Sequence, residues 1–223
     1  MICAIHQPNF FPWLGYFDKI KNSDVFIIMD DVDYPKSGSG SGSWTNRVKV
    51  NIQGQAKWFT CPIRRLEGRW KISETQMLDD LWRDKIIKTL QYNYRKHPQF
   101  SKAMEFLEPL INHNTHNLSD FNINAISNIS KLLGITTKLV KQSDLDVPGS
   151  STELLINLTK KVGAETYMCG GGAAGYQEDD LFPKRGIKLV YQNYVPTPYT
   201  LAEDFIPGLS IIDYLMYEID QYT

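Results

Sequence analysis

The sequence has few cysteines, and their spacing excludes the common metal sites. Cys3, Cys61 and Cys169 are the only ones among 223 residues, and none belongs to a closely spaced pair. Each lies in an apolar run typical of a strand, where cysteine packs as a small hydrophobic residue. His113 and His116 lack the neighbouring acids or cysteines that a metal centre needs. We therefore expect reduced thiols and no metal site.

Long apolar runs and a strong net charge are also missing. The start, Met1 to Ile5, has neither the positive segment nor the apolar length of a signal peptide, and no run approaches membrane-spanning length. The 24 Lys and Arg residues nearly balance the 25 Asp and Glu residues, so no overall positive field favours nucleic acid. We predict a soluble cytoplasmic protein without membrane insertion.

The most informative stretch that is present runs from Ile2 to Phe17. A short apolar run ends at His6, and a proline-containing turn leads into a helix. A strand that ends in a polar turn and feeds a helix is where α/β folds bind ligands. Because the turn carries His6, Gln7 and Asn9, we interpret His6 as a candidate catalytic residue and Gln7 and Asn9 as substrate-binding residues. The alternative is a capped turn with one partly buried histidine.

A second buried strand, residues 25–29, ends in Asp30 and Asp31. Strand, helix and strand within about thirty residues form a parallel unit, so these acids are expected beside His6. Asp30 or Asp31 is therefore a candidate general base, or the group that holds His6 in one tautomer. The alternative is that these acids only solvate a strand end.

The run from Ser37 to Ser43 alternates serine and glycine strictly. Such a run behaves as a flexible coil and is typical of engineered linkers, so we exclude it from functional reasoning. Residues 44–63 then predict a β-hairpin that turns at Gly54. Near its start, Asn46 and Arg47 offer donors to phosphate or carboxylate, and Trp44 and Trp13 offer rings for stacking. Basic residues on such a hairpin can equally protect an edge against aggregation.

Residues 77–134 carry apolar residues at helical spacing in three segments. The chain then returns to strands and helices: strands at 136–140, 166–169 and 187–191, and a helix at 154–162 that a capping box of Ser150 and Glu153 opens. The second strand of this half, residues 166–169, runs into Gly170, Gly171 and Gly172, whose amides could approach an anion, with Tyr176 close behind. Ser210 is a predicted N-cap for a final helix.

We predict an α/β fold with a mostly parallel sheet, in a single domain of residues 1–223. Its core combines residues 1–35 and 135–195, and the hairpin and the helical block are inserted between them.

Six motifs together resemble the WbqC-like protein family nearly from end to end. They are His6 to Phe17, Asp30-Asp31-Val32, Trp44-Thr45-Asn46-Arg47, Thr152-Glu153-Leu154-Leu155, Gly170-Gly171-Gly172 and Leu209-Ser210-Ile211-Ile212-Asp213. The family takes its name from a gene product of bacterial O-antigen clusters. The resemblance therefore implies a role in making or decorating nucleotide-linked sugars, and it fixes neither the reaction nor a cofactor.

Three functions follow from the residues and the resemblance. The first is a transferase that moves an aminoacyl, acyl or glycosyl group to a sugar, with an activated small-molecule donor and the His6 and Asp30 or Asp31 site. The second is an ATP- or CTP-dependent nucleotidyltransferase, by analogy of His6 with the H-x-G-H histidines. The third is a non-catalytic binding or scaffold subunit, which the absence of a P-loop and of a nucleophile elbow leaves open.

Overall fold

The computed structural model describes residues 1–35, 42–173, 175–200 and 204–222, so residues 37–41 of the serine–glycine run lie outside it. These residues form two compact units. The sheet unit comprises residues 1–7, 15–31 and 135–195, and the hairpin unit comprises residues 8–14, 32–134 and 196–223.

The strands and helices follow one another in an order that alternates in the sheet unit only. The described elements, in chain order, are β1 (Ile2–His6), α1 (Leu14–Lys21), β2 (Val25–Ile28), β3 (Arg47–Ile52), β4 (Gln55–Thr60), α2 (Leu81–Tyr94), α3 (Phe100–Ile111), α4 (Leu118–Leu132), β5 (Lys138–Lys141), α5 (Ser151–Lys161), β6 (Thr166–Cys169), α6 (Leu181–Lys184), β7 (Lys188–Tyr191) and α7 (Ile211–Glu218).

The sheet unit contains a five-stranded sheet with the strand order β5-β2-β1-β6-β7. Every neighbouring pair is parallel, which confirms the predicted mixed α/β fold with a mostly parallel sheet. The central strands are buried along most of their length, and the core includes Ile5, Phe26 and Ile27. Parallel strands need both faces covered, which explains why β1 and β2 read as nearly continuous apolar runs.

The predicted capping box at the start of α5 is wrong. The helix begins at Ser151, and the Ser150 side chain makes no cap hydrogen bond. Glu153 instead accepts a hydrogen bond from Arg185 at 2.6 Å. A tertiary ion pair thus takes the glutamate that the local pattern assigned to the helix terminus.

The hairpin unit contains the antiparallel pair β3 and β4 and the helices α2, α3, α4 and α7, which confirms the predicted hairpin and the three helical segments. Gln53 and Gly54 both have positive φ, 53° and 75°, as a two-residue turn between twisted strands requires. The core of this unit includes the rings of Phe10, Trp82 and Phe121, which lie 5.3 to 5.7 Å apart. Residues that precede α1 in the chain thus build the hairpin unit's core.

The predicted N-cap of the last helix is confirmed. The Ser210 hydroxyl oxygen accepts a hydrogen bond from the Ile212 amide at 3.2 Å, and the hydroxyl donates to the Phe11 carbonyl at 2.7 Å. One side chain therefore both starts α7 and ties it to the opening turn. None of the helices in the described ranges combines the length and the apolar character that crossing a bilayer requires.

Candidate functional site

The strand order of the sheet unit creates one position where the chain changes direction across the sheet. Numbered in chain order within this sheet, the strands lie 3-2-1-4-5, so the chain moves from β1 to one side and later returns to the other side at β6. The carboxyl ends of β1 and β6 therefore flank the switch point, where open α/β sheets bind ligands. Ala4 and Met168 are the last pair of β1 and β6, and His6 and Gly170 each lie two residues beyond this pair.

His6 ends β1 at this switch point with its imidazole partly buried. Its Nδ1 lies 3.1 Å from the Gln7 carbonyl oxygen, which can only accept, so Nδ1 carries the proton and Nε2 the lone pair. The ring packs edge-on against Tyr16 at 4.9 Å, and the Tyr16 hydroxyl donates to the same Gln7 carbonyl at 3.0 Å. The Gln7 main chain therefore fixes both the orientation and the tautomer of His6.

The imidazole of His6 is neutral at physiological pH. Burial, followed by the positive charge of Lys19, lowers its pKa to about 3, against a small opposing effect of the Gln7 carbonyl. A neutral imidazole at a strand end can accept one hydrogen bond through Nε2 or orient a polar group.

Asp30 lies at the same edge of the sheet, beyond the end of β2, and its side chain is 3% exposed. Its carboxylate accepts hydrogen bonds from the Ser143 amide at 3.0 Å and from the Ser143 hydroxyl at 2.7 Å. Asp30 therefore joins the end of β2 to the turn after β5, and both of these hydrogen bonds to its carboxylate come from Ser143. Asp31 is partly exposed, and its carbonyl accepts a bond from Gln142 at 3.4 Å. The catalytic assignment of either acid stays a prediction.

The three glycines after β6 are not required by the backbone. None of Gly170, Gly171 and Gly172 has a positive φ, and a methyl group on any of them would meet no atom of the described residues within 4 Å. Gly171 and Gly172 are exposed, in a single 3₁₀ turn. Without side chains, these residues leave the main chain of the turn open to a ligand. Tyr176, 87% exposed, follows this turn.

The sequence interpretation missed Lys19, which the fold places at the same switch point. Its side chain is 3% exposed, and its ammonium donates to the Ile5 carbonyl at 2.9 Å. Lys19 follows Tyr16 by three residues and precedes Ile20 by one, so it lies on the buried face of α1. A lysine on the apolar face of a short helix was the signal that could have found it.

The other predicted binding residues lie in the hairpin unit, around a row of three tryptophans. Trp13 and Trp44 have ring centroids 5.6 Å apart, and Trp44 and Trp58 lie 4.8 Å apart. The Arg47 guanidinium lies 4.2 Å from the Trp58 ring centre, and the Lys49 ammonium lies 5.2 Å from it. Trp44 is 39% and Trp58 42% exposed, so ring surface and positive charge meet at the surface of this unit. Trp58 was not predicted.

Two predicted polar residues of the hairpin unit are buried. The Asn46 amide accepts from the Tyr34 hydroxyl at 2.7 Å and from the Ser43 amide at 2.9 Å, and it donates to the Cys61 carbonyl at 2.9 Å. These bonds give Asn46 a structural role, and ligand binding by it stays a prediction. Asn9 is 2% exposed.

Metal ligands do not gather in the described part of the chain. Its His, Cys, Asp and Glu side chains include no group of three that could hold a metal ion. His116 and Asp80 approach to 4.0 Å, and His113 lies in the same loop.

The sequence comparisons agree with the six motifs. The sequence profile of the WbqC-like protein family matches residues 7–222. The chain belongs to this family. It is also 32% identical over 217 residues to the "Uncharacterized protein Rv1507c" of Mycobacterium tuberculosis (strain ATCC 25618 / H37Rv), across 95% of this chain and 91% of that protein. No solved structure matches the chain. Of the six stretches that suggested the family, those that begin at His6 and at Gly170 border the switch point.

Proposed function

We propose that this WbqC-like protein is a transferase that binds a nucleotide-activated sugar or a related activated acyl or aminoacyl donor at the switch point of its sheet unit. One observation carries the proposal: the 3-2-1-4-5 strand order puts His6 and the Gly170 to Gly172 turn on the two strands that flank the reversal. Doubly wound sheets bind nucleotides and their phosphates at this position.

The glycine turn supplies the main-chain part of the donor site in this proposal. Phosphate groups bind where backbone amides are accessible, and side chains beside such amides obstruct the approach. The open space beside Gly170, Gly171 and Gly172 supports this assignment.

His6 acts on the acceptor in this proposal. Its Nε2 lone pair accepts a hydrogen bond from the attacking hydroxyl or amine, and the Gln7 carbonyl keeps the ring oriented. In the free protein the low pKa, about 3, makes the imidazole a weak base. A negatively charged phosphate bound nearby favours the protonated imidazole, so donor binding raises the pKa of His6 towards the range of a general base.

The tryptophan row of the hairpin unit is proposed separately as a sugar-binding surface. Sugar rings stack on exposed aromatic faces, and Arg47 and Lys49 add positive charge for an acidic group. Trp44→Ala should weaken the binding of a charged sugar, while Trp82→Phe, a change in the core, should not.

Nucleotidyl transfer is the second candidate, favoured by the histidine at the end of the first strand of a 3-2-1-4-5 sheet. The products distinguish the two candidates. A nucleotidyltransferase releases pyrophosphate from ATP or CTP, whereas the proposed transferase releases a nucleotide from an activated donor.

The test measures binding by calorimetry and turnover by chromatography against nucleotide sugars, nucleotides and acyl donors, each with sugar acceptors. His6→Gln should lower turnover by about 10² to 10⁴, as loss of a positioned acid–base group does. His113→Gln, in a loop of the hairpin unit, should leave turnover unchanged. Binding without turnover of any donor would support a scaffold subunit, and absence of all binding would refute the proposal.

A further inference from the structure

Lys19 carries a buried positive charge that no carboxylate in the described part of the chain compensates. Its side chain is 3% exposed, and its one described hydrogen bond goes to a neutral group, the Ile5 carbonyl, at 2.9 Å. Carboxylates of the described residues form ion pairs with other cations, and none lies within 4.0 Å of the Lys19 ammonium. Buried charges are normally paired because the loss of hydration is costly.

The groups that surround Lys19 do not supply the missing negative charge. The thiols of Cys3 on β1 and Cys169 on β6 are close enough for their charge to affect Lys19. Burial raises the pKa of both thiols, to about 12 for Cys3. Both thiols are therefore neutral at physiological pH. His6 is neutral as well. The ammonium is the uncompensated charge of this region of the sheet unit.

The backbone hydrogen bonds between β1 and β6 show where this charge lies in the sheet unit. The Met1 carbonyl accepts from the Thr166 amide across this pair, and backbone groups alternate along a strand, so the Ile5 carbonyl faces the same side. The pairing of β1 with β6 ends at Ala4 and Met168. Beyond this pair, the Ile5 carbonyl accepts a hydrogen bond from the Lys19 ammonium in place of one from β6. The ammonium thus lies at the switch point, near the end of β1 and beside the strand that leads into Gly170.

We infer that Lys19 is the counter-charge for a phosphate group bound at the Gly170 to Gly172 turn. The inference rests on the proposed function, because it names the phosphate of the activated donor as the group that Lys19 recognises. A phosphate completes what the free protein lacks: it brings the negative charge for the ammonium and acceptor oxygens for the exposed amides of the turn. If Lys19 only supplied a hydrogen bond to the Ile5 carbonyl, a neutral donor would do so equally well, and the charge would be unnecessary.

The test compares Lys19→Met with Lys21→Met, an exposed lysine on the same helix. Binding of inorganic pyrophosphate and of a nucleotide sugar to the full chain is measured by calorimetry at pH 7. Lys19→Met should weaken both by at least tenfold, and Lys21→Met should match the wild-type protein. Lys19→Arg, which keeps the charge, should bind more tightly than Lys19→Met.

A second measurement covers the case in which Lys19→Met fails to fold. Pyrophosphate binding to the wild-type protein should then weaken as the pH rises from 7 to 9.5, since burial lowers the pKa of Lys19 to about 8 and the ammonium loses its charge. Equal binding by the wild-type protein and Lys19→Met, or binding that does not weaken with pH, overturns the inference and leaves the proposed function standing. A wild-type protein that binds neither probe overturns the inference, and it overturns the proposed function as well if it binds no acyl or aminoacyl donor.

Discussion

The Lys19 ammonium lies 2.9 Å from the carbonyl oxygen of Ile5, the residue that precedes His6. This contact puts a buried positive charge next to the end of β1, and that charge is the second cause of the low pKa of His6. The charge of Lys19 therefore couples the protonation state of Lys19 to that of His6.

The buried charge of Lys19 should lower the stability of the protein at neutral pH. Burial lowers the pKa of Lys19 from 10.5 in the reference state to about 8 in the folded protein. Between these pH values the unfolded chain binds more protons than the folded protein does. The contribution of Lys19 to the free energy of unfolding therefore increases with pH. We expect the stability of the wild-type protein relative to Lys19→Met to rise between pH 8 and pH 10, by on the order of 2 kcal/mol. Denaturant unfolding of both proteins across this range measures the difference. A constant difference would contradict a charged Lys19.

His6 should make the protein sensitive to acid. Its pKa is about 3 in the folded protein and 6.5 in the reference state, so the stability that depends on neutral His6 is complete above pH 6.5 and is lost as the pH falls towards 3. Relative to pH 7, we expect the wild-type protein to lose at least about 2 kcal/mol more than His6→Gln at pH 4.5. Urea unfolding at both pH values checks this expectation, and His6→Asn serves as a second neutral replacement. Parallel curves for all three proteins would contradict it.

The glycines after β6 should tolerate alanine better than a glycine in a left-handed turn. Gly171 has open space and no positive φ, so Gly171→Ala should be neutral or stabilising by about 0.5 kcal/mol, through loss of freedom in the unfolded chain. Gly186 has equally open space but a φ of +75°, so Gly186→Ala should cost about 1 to 2 kcal/mol. Thermal unfolding compares the two variants. If Gly171→Ala is stable and binds pyrophosphate more weakly, the glycine serves the ligand. If it is as unstable as Gly186→Ala, the glycine serves the fold.

Tyr94 should be a major stabilising residue of the hairpin unit. Its hydroxyl donates to the buried Asp213 carboxylate at 2.5 Å and accepts from the Asn51 amide at 3.2 Å, which connects α2, α7 and β3. Tyr94→Phe removes both bonds, and we expect a loss of about 2 to 3 kcal/mol, since hydrogen bonds to a charged group are strong. Tyr92→Phe is the control, because Tyr92 lies on the same helix and is 69% exposed. Equal denaturation midpoints for both variants would show that the Asp213 contact is energetically unimportant.

Asp30 should serve stability in addition to any role in the reaction. Asp30→Asn replaces one acceptor oxygen with a donor opposite the Ser143 amide and hydroxyl, and we expect a cost of about 1 to 3 kcal/mol. Asp144→Asn, an exposed position in the turn that contains Ser143, should change stability by less than about 0.5 kcal/mol. Unfolding measurements should accompany every activity assay of Asp30→Asn. A fully stable Asp30→Asn protein without turnover would instead favour the catalytic assignment of Asp30.

The local pattern of the sequence determined most of the elements. Apolar spacing predicted the three helices of residues 77–134, Gly54 marked the hairpin, and Ser210 marked the start of α7. These features depend on residues a few positions apart, and the preferences of single turns and helix ends are strong enough to be read locally. The same local reasoning failed at α5, where Glu153 pairs with Arg185, the residue after α6, instead of capping its own helix.

Only the tertiary structure established which residues come together at the ends of the strands. The sequence identified His6, Asp30 and Gly170 as strand-end residues, but it could not establish that β1 lies between β2 and β6, which makes the ends of β1 and β6 neighbours. It could not show that Asp30 bonds to Ser143, more than a hundred positions away, or that the lysine at position 19 is buried beside two cysteines. The reason is physical: periodicity tells which side of an element faces inward, while the order in which strands pair depends on how distant segments bury their apolar surfaces together.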